Sequence, residues 1–180
     1  MNSTERMQRR IMSKGYAEMG HSSVTICSIV RDCNKNLLRT IPAIEEIRNC
    51  FKSSKVIVFE NDSIDGTRQT LVEWKKDYQN VNIHSDNYGQ QTIPNEDISG
   101  VNRFFSEFRI SKMIQYRNRY LSLLNEKSCF KADFVIVVDL DIGELDINGV
   151  AHSFGLTDQW DVVCANGYFY DASFRRRYYD

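Results

Sequence analysis

Asp139 and Asp141, separated by Leu140, close an unbroken apolar run, Phe134-Val135-Ile136-Val137-Val138. A β-branched apolar run bounded by polar residues predicts a strand buried on both faces of a parallel sheet. Open α/β sheets bind their ligands at the C-terminal edge of the strands. Two carboxylates one residue apart at that edge suit a hard divalent cation, Mg²⁺ or Mn²⁺, which in turn holds phosphate oxygens. For a bare Asp-x-Asp, two solvated carboxylates at an ordinary strand end explain the pattern equally well. The surrounding elements decide between the two.

Val24 to Val30 is the first strand expected, followed after Asn34 by a helix to about Phe51 with Leu37, Leu38, Ile41, Ile44 and Ile47 at helical spacing. Pro42 falls inside it, so a break or a second helix beginning at the proline is expected. Lys55 to Phe59 reads as a second strand. Asp65-Gly66-Thr67 then turns into a helix carrying Leu71, Val72 and Trp74, with Asp65 or Ser63 as its N-cap. Val81 to His84 is a short third strand, and a polar loop, Ser85 to Val101, follows. A helix from Phe104 to Asn125, the Asp-x-Asp strand and a last strand at Val162 to Ala165 complete the order. Strands alternating with helices predict one α/β domain with a mostly parallel sheet and right-handed crossovers. Residues 1–22, polar and carrying Glu5, Arg9, Arg10 and Lys14, read as an N-terminal extension with a short helix, before a domain over 23–180.

With 42% hydrophobic and 26% charged residues in 180, the composition is that of a globular domain with a substantial core. A net charge of −1 supplies no bulk field toward nucleic acid, so a polyanion must be held by local clusters. The five cysteines, Cys27, Cys33, Cys50, Cys129 and Cys164, form no CxxC pair or zinc pattern. Cys27 and Cys164, in apolar runs, read as core residues. His21, His84 and His152 are too scattered for a metal triad, and Trp74 and Trp160 read as packing residues. A cytoplasmic location is expected, with contact to a membrane periphery or a protein partner left open.

In a parallel sheet all C-terminal strand ends share one edge. Arg31 and Asp32 follow the first strand, Glu60 to Thr67 the second, and Asp139 and Asp141 the fourth, so three polar clusters converge there. The long helix adds Arg109, Lys112, Arg117 and Arg119, with Arg109, Lys112 and Tyr116 sharing a face. Guanidinium forks bind phosphate oxygens in pairs, which makes Arg31, Arg109 and Arg117 candidates for holding a phosphate-bearing ligand.

Taken in order, these residues resemble a GT-A glycosyltransferase, in the neighbourhood of glycosyltransferase family 2. That family's second strand ends in Val-Val-Asp-Asp-Gly-Ser-Thr-Asp-Gly-Thr, matched here by Val58-Phe59-Glu60-Asn61-Asp62-Ser63-Ile64-Asp65-Gly66-Thr67. Its helical Arg-Asn pair is matched by Arg117-Asn118 and its Asp-x-Asp by Asp139-Leu140-Asp141. Order and spacing agree over roughly Val24 to Asp146. The run Cys164 to Asp171, with Arg175 to Tyr178 after it, is similar to capsule-associated mannosyltransferases.

The resemblance implies a Rossmann-like nucleotide-sugar-binding half with helices on both faces, a UDP- or GDP-sugar donor, Mn²⁺ or Mg²⁺, and a glycan or lipid-linked acceptor. It implies that Glu60 accepts hydrogen bonds from the base or ribose, with Asp62 assisting. Asp139 would face the ribose or metal, Asp141 would ligate the metal bridging both phosphates, and Arg117 would touch the diphosphate or sugar. Glu60-Asn61 stands where the family has Asp-Asp, which leaves the base open. No counterpart of the downstream catalytic base is assignable among Asp161, Asp171 and Asp180, so a truncated domain or a partner-dependent fragment is expected. Aspartyl-nucleophile phosphohydrolases share Asp-x-Asp but place it on their first strand. A binding module without turnover is the rival of a different class.

Overall fold

The computed structural model describes residues 2–89, 106–125, 131–165 and 167–178. In chain order the elements are α1 (Ser3–His21), β1 (Ser23–Val30), α2 (Asn34–Asn49), β2 (Ser53–Asn61), α3 (Thr67–Asp77) and β3 (Val81–Asp86). There follow α4 (Glu107–Asn125), β4 (Phe134–Val137), α5 (Ile147–Phe154), β5 (Tyr168–Tyr170) and β6 (Arg176–Tyr178). The chain forms two compact units, Ala17–Ile147 and Met1–Tyr16 with Asn148–Asp180.

The larger unit is built on a four-stranded sheet in the order β3-β2-β1-β4, with every pairing parallel. The pleat sends alternate side chains to opposite faces, and both faces of β1 and β2 are apolar. Cys27 and Ile57, paired in register, point toward α4 and pack with Tyr120, Leu123 and Leu124. Val24, Ile26, Val56 and Val58 line the other face, which α2 and α3 cover with Leu37, Ile44, Ile47, Leu71 and Trp74, all buried. Burial of each such aliphatic side chain contributes about 1.5–3 kcal/mol. At the N-terminal edge, the Asp133 carboxylate accepts hydrogen bonds from the Ser23 N–H (2.8 Å) and Oγ (2.6 Å), which fixes the β1–β4 register.

Four sequence expectations need correction. β4 is not buried on both faces: it pairs with β1 alone among the described strands, and Val135 and Val137 are 51% and 54% exposed. No strand forms at Val162 to Ala165: Val162 is 81% exposed, and the two adjacent valines pair with no strand among the described residues. Cys164 is accordingly exposed rather than core, whereas Cys27 is fully buried. Pro42 neither breaks nor restarts its helix: α2 is continuous, and the proline lies on its solvent side, where water can satisfy the Leu38 carbonyl it leaves unbonded. The expected loop from Ser85 lies mostly outside the described residues, and β3 takes its first two positions.

In the smaller unit, α1 runs well beyond the short helix expected, and its part up to Tyr16 crosses α5 at two glycines. A Cβ on Gly15 would strike the Ala151 carbonyl, and one on Gly155 the Ile11 carbonyl, so the two backbones touch. Trp160 Nε1 donates to the Ser153 carbonyl (2.9 Å), and its ring meets Phe154 edge-on. β5 and β6 form an antiparallel hairpin. No described helix is long and apolar enough to cross a membrane.

Candidate functional site

Strand order places β2 and β3 on one side of β1 and β4 on the other, so the direction of winding reverses between β1 and β4. Crevices open at such points because the crossovers on either side depart in opposite directions. Here a cavity of ≈ 520 Å³ is lined by Arg31, Asp32, Cys33, Asn34, Lys35, Asn36, Asp65 and Asp141. Burial pushes the Cys33 thiol up to about 11, so it offers no thiolate.

The loops around the cavity are hydrogen-bonded into one rim. Asp32 takes φ +47, its N–H donates to Ser63 Oγ (3.2 Å), and its carboxylate accepts from the Ile64 N–H (2.8 Å). Asp65 accepts from the Asn34 N–H (2.9 Å) and, at the start of α3, from the Thr67 N–H (3.0 Å) and Oγ1 (2.6 Å). Gly66, not Asp65 or Ser63, is the N-cap residue, yet the Asp65 carboxylate does the capping from one position earlier. Thr67 Oγ1 in turn accepts from the Cys33 N–H (2.9 Å). From α2, Asn36 Nδ2 donates to the Asp141 carbonyl and Thr40 Oγ1 to the Leu140 carbonyl (3.0 Å). The segments after β1, β2 and β4 thus meet, as three strand ends of a parallel sheet should.

The acidic candidates differ in availability. Glu60 is fully buried; one oxygen accepts from the Ser63 N–H (2.9 Å) and the other from Arg68 Nε (2.8 Å). Burial raises its carboxyl, but the Arg68 and Ser63 hydrogen bonds outweigh that and hold it below the usual range. Asp62, at φ +50, accepts from the Tyr88 (2.8 Å) and Gly89 (2.9 Å) N–H groups and from Asn61 Nδ2 (3.0 Å). Desolvation opposes these bonds and loses to them, with the Arg31 charge assisting. Both side chains therefore shape the loop after β2, each oxygen already accepting at least one hydrogen bond. Asp139 and Asp141 are both exposed, but only Asp141 lines the cavity; Asp139, Glu60, Asp62, Arg109 and Arg117 are not among its lining residues. The Asp139 carboxyl is held above the usual range, first by desolvation and then by Asp141, with Arg117 opposing.

That opposition places Arg117 in Asp139's field. Arg109 sits about 12 Å earlier along α4, at 1.5 Å per residue, with its N–H on Ser106 Oγ (3.3 Å). Lys112 lies over the Phe108 ring (5.7 Å), and Arg119 pairs with Asp86 (3.2 Å) above Phe59 (5.9 Å). Tyr116 shares their helix but is buried against Phe59 and Tyr88. Sequence reasoning missed Asn34, Lys35, Asn36 and Thr40. The signal was there in the polar Asn34-Lys35-Asn36 run directly after a strand end.

Among the described residues no group of three or more His, Cys, Asp and Glu gathers as an all-protein metal cage. The donor chemistry present still fits Mg²⁺ or Mn²⁺, which bind through one or two carboxylates and complete their shell with phosphate and water. A divalent cation would favour the charged form of Asp139 against the desolvation, and the lesser effect of Asp141, that raise it.

The loop carboxylates make a pH prediction. Glu60, Asp62 and Asp65 all lie below their usual values in the fold. Their contribution is therefore complete above the unfolded carboxylate values near ~4 and is lost as pH falls through the folded ones. Urea midpoints should stay flat from neutrality to about pH 5 and drop below about pH 4, with a shallower drop in Glu60→Gln. An equally steep acid drop in that variant would take Glu60 out of the account.

A parallel α/β domain with an acidic, arginine-flanked cleft at its topological switch is the class that fold and site define. No family model and no curated protein matches the chain. Among solved structures, it aligns with the mannosyltransferase PcManGT from Pyrobaculum calidifontis in complex with GDP-Man and Mn²⁺, at TM-score 0.47 and 13% identity. The alignment covers 85% of this chain and 45% of that one, so this chain spans less than half the length of the protein it matches.

Proposed function

We propose that the chain is the donor-binding domain of a metal-dependent glycosyltransferase, which moves a sugar from a nucleoside-diphosphate sugar to a glycan or lipid-linked acceptor. The carrying observation is the pinned rim, in which the segments after β1, β2 and β4 are joined around a cavity that Asp141 lines. Asp139 and Asp141 would hold Mn²⁺ or Mg²⁺, which when bound neutralises charge building on the departing diphosphate. Arg31, in the cavity wall, and Arg117, whose charge acts on Asp139, would take phosphate oxygens. Glu60 and Asp62 would act through the loop they shape rather than through free oxygens.

Nucleotide-sugars screened by thermal shift test this. A UDP- or GDP-sugar should raise Tm by several degrees in Mn²⁺ and not in chelator, since ligand at 100 Kd stabilises by about 2.7 kcal/mol. No shift with any nucleotide-sugar would overturn the proposal. The binding-module reading gains from one observation: Asp171, a downstream carboxylate that could have been a base, is engaged by Ser173, Arg175 and Arg177. Radiolabelled sugar leaving the donor decides for the enzyme; donor bound with no sugar released decides for the module.

A further inference from the structure

The β5–β6 hairpin presents Phe174 in a way its own fold does not explain. The Phe174 N–H donates to the Asp171 carbonyl (2.9 Å) and the Asp171 N–H to the Arg175 carbonyl (3.0 Å), so residues 172–174 form a three-residue loop. The last position of such a loop is left-handed and ordinarily glycine. Here it is a phenylalanine at φ +55, 88% exposed. A bulky residue gains nothing from that backbone conformation, and a phenyl ring gains nothing from water. The turn nevertheless holds it there, because the Asp171 carboxylate accepts from the Ser173 N–H (2.9 Å), the Arg175 N–H (3.0 Å) and Arg177 Nε (3.0 Å). Strain of this kind at an exposed position points outward, to something the side chain meets.

The chemistry beside it says what. Arg175, Arg176 and Arg177 follow directly and are all exposed. Arg176 lies over the Tyr168 ring at 4.0 Å, so its guanidinium is held on the strand two ladder positions back from the turn. The unit as a whole has seven Lys and Arg, including Arg6, Arg9 and Arg10 exposed on α1, against five Asp and Glu. A single aromatic at a narrow tip, followed by three exposed arginines, matches a surface that is apolar beneath and anionic above. It needs no concave partner.

We propose that this hairpin docks the protein on an anionic lipid bilayer, with Phe174 entering the interfacial layer, Arg175 beside it meeting lipid phosphates and carboxylates, and the charges of Arg176 and Arg177 adding from behind. No residue is shared with the donor cleft, so the docking stands or falls independently of sugar transfer. The test is co-sedimentation of the full chain with phosphatidylcholine vesicles and with vesicles also containing phosphatidylserine. Binding should appear on the mixed vesicles alone and weaken in high salt. Phe174→Gly keeps the turn, since glycine suits φ +55, and should lower the partition coefficient about tenfold. Arg175→Gln should lower it about fivefold. In Phe174→Trp, binding should persist and the added indole should shift to the blue on mixed vesicles only. Equal binding to neutral vesicles, no binding to either, or undiminished binding by Phe174→Gly with unchanged circular dichroism would each overturn the proposal.

Discussion

Asp141→Asn is expected to cost donor affinity in Mn²⁺ about 10²-fold or more while leaving Tm within a degree or two of wild type. The two effects separate because the residue does two things with different atoms. Its backbone carbonyl receives Asn36 Nδ2 and keeps the turn after β4 in place, and asparagine retains that carbonyl. Its carboxylate stands in the cavity wall, and asparagine removes the charge that would hold a cation. Isothermal titration with the nucleotide-sugar found by the screen, in Mn²⁺ and in chelator, measures the loss. Wild-type affinity in Mn²⁺ would remove Asp141 from the site while leaving donor binding itself in place. Asp139→Asn should follow in the same direction.

The largest effect on stability is expected at Glu45, remote from the cleft. Its carboxylate accepts from Trp74 Nε1 (2.6 Å) and Arg48 Nη1, and the Glu45 and Arg48 side chains are only 10% and 8% exposed. Arg48 is held further by the Gln79 carbonyl (2.7 Å) and Ser54 Oγ (3.1 Å), so it cannot follow a lost partner into water. Glu45→Ala should therefore leave a buried cation without its counter-charge and cost about 3–5 kcal/mol in urea unfolding at neutral pH. Replacing Glu45 by Leu and Arg48 by Met together should recover most of that, because neither charge is then desolvated. A loss below about 1 kcal/mol in the single variant would show that Arg48 reaches solvent after all.

β1 and β2 were legible in the sequence to within a residue or two as unbroken apolar runs between polar boundaries, and β3 and α2 by a clear period. The parallel order followed from alternation, and with it the shared edge that gathers Asp32, Asp65 and Asp141. What the sequence could not show was number of neighbours. Phe134 to Val138 reads the same whether a strand lies in the middle of a sheet or pairs on one side, and β4 pairs on one side. Val162 to Ala165 has the composition of a strand but no partner strand among the described residues. The same gap explains Glu60: its acidity was visible, but its enclosure by Arg68, one turn into the next helix, depends on how tightly the loop folds back. Lys35 and Asn36 belong to no motif; their place at the cleft comes from the way the start of α2 meets the turn after β4.

The crossing of α1 and α5 has a consequence for how the chain matures. Gly15 and Ala151 meet backbone to backbone, although most of the sequence separates them. On a ribosome, the first helix emerges long before its counterpart exists, and must wait while the whole parallel sheet is synthesised. Closing so long a loop is entropically slow, so assembly of the smaller unit should trail that of the larger. A premature stop before Ala151 would leave the opening helix permanently without its groove.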